Sequence, residues 1–117
     1  MTPRPYAQLD VAACQQLITH PRWWKNITHI DPTLGCHLWR PDHTKKNSGN
    51  PGYPEIKLLN KTRYATRIAL VAALGRNPHP DTPECAHKCA NSLCVNPHHL
   101  RESTHLDNMA DNRHART

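Results

Sequence analysis

The stretch CAHKCANSLCVNPHHL, residues 85–100, decides how this chain is built. Within it Cys89, Cys94 and His99 follow the spacing Cys-x4-Cys-x4-His, on a loop broken by Asn96 and Pro97. A loop with that spacing can fold back so that two thiolates and an imidazole converge at about 2.0–2.3 Å on one Zn²⁺, which takes four ligands in structural sites. The fourth ligand is assigned to Cys36, which follows the turn-forming Gly35 and adjoins Leu38 and Trp39, two residues able to anchor it to a core. His98 is the neighbour that could be mistaken for the ligand. The plainer alternative is that these thiols are small buried hydrophobes beside a surface histidine, since free cysteine packs well in cores. Three ligand-type residues so closely spaced on a turn-rich loop favour metal. Cys14 and Cys85 are read as packing residues.

Composition makes such a staple necessary. The chain has 117 residues, only 37% of them hydrophobic, with no Phe and 11 Pro. That suffices for one domain with a thin core, to which a structural zinc would add about 10–16 kcal/mol. Fifteen Lys and Arg against nine Asp and Glu give a net charge of +6, which favours a polyanionic partner. No stretch approaches the roughly 18 apolar residues of a membrane helix, and Met1 to Gln8 has no basic segment followed by an apolar run. The expectation is a cytoplasmic protein without a membrane, in a reducing compartment, which the odd count of five Cys also suits.

Hydrophobic spacing outlines the remaining elements. Leu9, Ala12, Ala13, Leu17 and Ile18 recur at helical intervals, predicting a helix over Tyr6 to Thr19 that stops at His20 and Pro21. Asp31 to Gly35 reads as a turn, and Pro41 to Gly52 as a polar, basic loop that carries Lys45 and Lys46. Tyr53 to Asn60 and Thr62 to Ala65 read as a hairpin around Asn60 and Lys61, with Ile56 and Leu58 on one face. The apolar run IALVAAL that follows Arg67 predicts a buried helix over Thr66 to Leu74, closed by Gly75. Thr104 and Asp107 suggest the cap of a last helix, running to about Arg113, with Leu106, Met109 and Ala110 towards the core.

Taken together, Ala86-His87-Lys88-Cys89, Asn91, Cys94, Asn96-Pro97, His99-Leu100 and Asp107-Asn108 resemble the His-Cys box branch of the HNH, or His-Me finger, endonucleases. Gly35-Cys36-x-Leu38-Trp39 and the strand-then-helix segment Tyr64 to Leu74 fit phage-type members, and the likeness spans about Trp23 to Asn112. The resemblance implies His87 as general base, Asn108 as ligand of a catalytic Mg²⁺ or similar divalent cation, and Cys36, Cys89, Cys94 and His99 as the site of one structural Zn²⁺. A neutral imidazole suits the first role because it can take a proton from water near pH 7. An amide oxygen suits the second because it is the hard donor that Mg²⁺ accepts. The chain departs from the pattern in lacking a second cysteine-rich zinc site and the C-terminal extension with which those enzymes clasp a twin subunit, so a homodimer has no support there. It also has Thr66 where related sequences often carry His.

The expected fold class is therefore α+β, a small zinc-stapled single domain with a β-hairpin or antiparallel sheet. It comprises an N-terminal helix within residues 1–22, a DNA-docking hairpin and buried helix over 53–75, and a ββα-metal motif with its zinc loop over 84–114. Lys57, Lys61, Arg63 and Arg67 fall on or beside the hairpin, and a two-stranded ribbon fits the major groove of double-stranded DNA. Arg63 is the first choice, and Arg67 the second, for a clamp on the scissile phosphate. A solvated basic face is the alternative for each cation. The function expected is metal-dependent hydrolysis of DNA phosphodiesters. The runner-up is a non-catalytic zinc-stabilised DNA-binding module, which would need the zinc ligands and the basic hairpin but neither His87 nor Asn108. A nonspecific nuclease toxin is a third, weaker reading.

Overall fold

The computed structural model describes residues 8–40, 44–45, 53–88, 93–104 and 106. Asp10 begins the first helix, α1 (Val11–Leu17), because its carboxylate accepts the Ala13 N–H at 3.0 Å and so satisfies one of the free amides of the first turn. A second short helix, α2 (Pro21–Trp24), starts with proline at its first position and is capped by the His20 ring, which accepts the Arg22 N–H. The helix expected over Tyr6 to Thr19 is thus shorter in its described part and stops before Pro21, and α2 is a further helix that the hydrophobic spacing does not indicate.

Strand β1 (Ile27–Ile30) pairs antiparallel with β2 (His37–Trp39) across the Asp31 to Gly35 turn. Asp31 holds that turn by accepting the amides of Thr33 and Leu34, and these two bonds pull its carboxyl below the usual carboxylate range. Within the basic loop, β3 (Thr44–Lys45) pairs with β4 (Tyr53–Leu58), which in turn pairs with β5 (Lys61–Tyr64). The β4–β5 hairpin turns at Leu59 and Asn60, one residue earlier than expected. Pro54, Ile56 and Leu58 point inward along β4, and a slip of one residue would turn all three to solvent. Both turn residues have positive φ, 51° at Leu59 and 67° at Asn60. Asparagine tolerates that conformation, whereas it costs a leucine about 1–2 kcal/mol.

The hairpin runs directly into α3 (Ala65–Leu74), which ends at Gly75 in the left-handed conformation, φ 71°. Ile68, Ala69, Leu70 and Val71 have no exposed surface, and the core closes around this helix with α1, β4, Val95 and Leu100. Trp23 and Trp39 meet edge to face at 5.1 Å beneath β2. Polar clamps fasten the rest. Asn77 exchanges two hydrogen bonds with the backbone of Leu9, and Arg76 reaches both carboxylate oxygens of Glu102.

Beyond α3, β6 (Glu84–His87) pairs antiparallel with β7 (Leu100–Ser103), so a two-stranded unit flanks the ligand loop. The helix that would complete a ββα motif lies, save for Leu106, outside the described residues. Leu106 itself was expected in the core and is instead 78% exposed, the inward face of the β6–β7 pair being already packed against α3. Among the described residues no helix is long and apolar enough to cross a membrane.

Because α3 is the centre of a thin core, Ile68→Ala should lower unfolding free energy by about 2–5 kcal/mol in urea titration. A loss under about 1 kcal/mol would mean that the core re-forms without it.

Candidate metal centre

Three of the four expected ligands come together. The Sγ atoms of Cys36 and Cys94 lie 3.5 and 3.4 Å from Nδ1 of His99, and the three ligand atoms all lie within 4.8 Å of one another. Both cysteines are buried, and His99 is half-buried. A tetrahedral ion with ordinary Zn–S and Zn–N bond lengths would place sulfur and nitrogen about 3.6 Å apart, so these separations suit one bound ion. Two soft sulfurs and an imidazole are donors that favour a borderline or soft metal over Mg²⁺ or Ca²⁺. Cys89 lies outside the described residues. Cys14 and Cys85 stand apart from this group, and burial pushes their thiols up to about 11 and about 12, as packing residues require.

Backbone pairing brings the ligands together. Leu38 and Cys94 form an antiparallel bridge, flanked by Trp39 N–H to the Leu93 carbonyl at 2.9 Å and Val95 N–H to the His37 carbonyl at 2.8 Å. His99 ends a 3₁₀ turn, Pro97–His99, capped by Asn96, whose side-chain oxygen accepts the His98 N–H at 3.0 Å. The same Asn96 amide donates to the Gly35 carbonyl at 2.7 Å, linking the turn that carries His99 to the residue before Cys36. Gly35 holds φ at 76°, which favours glycine there. The sequence shows Asn96 only as half of an Asn-Pro turn signal; its bridging role depends on contacts across the fold.

His87, on β6, sits against this centre. Burial lowers the pKa of its ring, and a hydrogen bond to the Cys94 carbonyl offsets part of that shift. A carbonyl can only accept, so the ring nitrogen facing Cys94 carries hydrogen. Nε2 is buried and has no hydrogen-bond partner among the described residues, so in the neutral ring it keeps its lone pair. His37, next to Cys36, lies beside the Trp24 ring at 5.3 Å, and burial followed by the charges of His99 and His98 lowers its pKa.

The basic residues do not share one surface. Ile56 faces Arg63 and Leu58 faces Lys61 across the hairpin, so both cations lie on its inward side, at a groove lined also by Leu9 and Asp10. Lys57, opposite Thr62, lies on the outer side. Arg67 donates to the Pro83 carbonyl at 2.8 Å, at the far end of β6 from His87, about 13 Å along an extended strand. Asn108 lies outside the described residues.

If the three donors bind metal, Cys94→Ser should abolish stoichiometric metal in the purified protein and lower its melting temperature, as read by elemental analysis and thermal unfolding. Unchanged metal content would place the ion elsewhere. The chain matches no family model, no curated protein and no solved structure.

Proposed function

We propose that the chain is a metal-dependent DNA endonuclease in which Cys36, Cys94 and His99, with Cys89, hold a structural Zn²⁺ and His87 is the general base. The observation that carries this reading is the place of His87: it lies on β6, paired with β7 beside the Cys36, Cys94 and His99 cluster, and its ring is tied to the Cys94 carbonyl on the ligand loop. In the reaction His87 takes a proton from water, the oxygen attacks phosphorus, and the P–O bond to the 3′-oxygen breaks, that oxygen taking a proton from solvent water while His87 returns its own to solvent. Asn108 would hold a divalent cation, which when bound supplies charge to the phosphate oxygens and the departing oxygen. Arg63 remains the first choice to neutralise phosphate charge, and Arg67 is weaker because it is engaged with Pro83. Lys57 and Lys61 would contact the DNA backbone, and the excess of positive charge supports a polyanionic partner.

One observation favours the alternative, a zinc-stabilised DNA-binding module without catalysis: Nε2 of His87 is shielded, whereas a base must reach water. Supercoiled plasmid separates the two. An endonuclease nicks or linearises it with Mg²⁺ and not with EDTA, and His87→Ala slows cleavage by at least about 100-fold at unchanged DNA affinity. Binding without cleavage under any divalent cation would establish the module; equal loss of binding and cleavage in His87→Ala would make His87 a structural residue.

A further inference from the structure

The tip of the β4–β5 hairpin combines features that neither folding nor the metal centre requires. Leu59 adopts φ 51°, a conformation that glycine or asparagine would take with far less strain, and its side chain is 68% exposed. A residue both strained and unburied contributes little to this fold, and such outliers are the ones whose origin is to be sought in function. Around it stand Lys57, Asn60 and Lys61, all exposed. Arg22 braces the arm from behind, donating to the Lys57 carbonyl at 2.8 Å. Asp10 lines the groove behind the tip, and its carboxylate is bound to the Ala13 amide.

We infer that Leu59 is a wedge that enters duplex DNA between stacked base pairs from the minor groove, in place of the major-groove docking expected for the ribbon, with Asn60 against the base edges and Lys57 and Lys61 on the flanking phosphates. A two-residue turn is narrow enough to enter a groove, an apolar side chain can replace base stacking that it interrupts, and an amide can meet the acceptors of the minor-groove floor. Lysines on either side of the tip offset the cost by phosphate contact. The inference rests on the nucleic-acid reading above and adds to it a contact that distorts DNA.

The test exploits the conflict between fold and function at one position. Leu59→Asn relieves the turn and removes the wedge, so it should raise the urea midpoint while lowering affinity for duplex about tenfold, the order expected from losing the burial of one leucine. The probe is a duplex of mixed sequence with 2-aminopurine at its TA steps, which unstack most readily. Wild type should brighten the 2-aminopurine on binding, Leu59→Met should do the same, and Leu59→Asn should bind more weakly without brightening. If wild type binds with no brightening and Leu59→Asn binds equally well, the wedge is overturned while DNA binding stands. Tighter binding by Leu59→Lys than by wild type, with no brightening in either, would also overturn it by reducing the tip to a phosphate contact. If wild type does not bind duplex at low salt, the nucleic-acid reading fails and the wedge with it.

Discussion

The pairing of β2 with residues 93–95 is the constraint from which the rest of the molecule follows. It is short, a single bridge with one hydrogen bond on each side, yet it joins segments distant in sequence and brings the thiols of Cys36 and Cys94 onto one imidazole. Trp39, whose amide donates to Leu93, also carries the edge-to-face contact with Trp23. The candidate metal ligands and the aromatic packing are therefore fastened to the same few residues. A change that opens one loosens the other, so the centre and the core should unfold together rather than in sequence.

Around that junction the molecule compensates for scarce apolar surface. A small chain buries a lower fraction of its surface than a large one, and here one helix, α3, supplies more of the fully buried side chains than any other element described. Loops that cannot be held by burial are held by side chains bonded to backbone. Asn77 mimics a strand partner for Leu9, Arg67 pins the start of β6 through Pro83, and Asn96 ties the 3₁₀ turn to Gly35. Each such bond is modest in water but costly to break once its groups are buried.

How much of this could be read beforehand depends on the range of the forces involved. The buried helix and its glycine stop were legible because periodicity, composition and the left-handed cap all act within a few residues. The ligand triad was legible for a related reason: Cys94 and His99 are close in sequence, and the turn before Cys36 marks a place where a side chain can be presented. The β1–β2 pair was not, since four-residue and three-residue strands leave no periodic signal and are stabilised by Trp23 and the 93–95 segment. The hairpin turn was misplaced by one position because Asn60 is a good turn residue in either register, and the inward side chains of β4 decide between them. The distribution of the cations was hidden as well, because facing is a property of strand pairing; Lys57 and Arg63 look equivalent in sequence and lie on opposite sides of the ribbon.

The span of the metal centre has a consequence for how the protein is made. Cys36 and His99 are 63 residues apart, with Cys94 near the second of them. At translation rates of about 5–20 residues per second, Cys36 leaves the ribosome roughly 3–13 s before its partners do. During that interval the thiol is an unprotected nucleophile on a partly built chain, able to bind stray metal or to be oxidised. The order of these residues along the chain thus makes the reducing power of the surroundings, up to the moment residues 94–99 emerge, a condition for assembling the candidate centre.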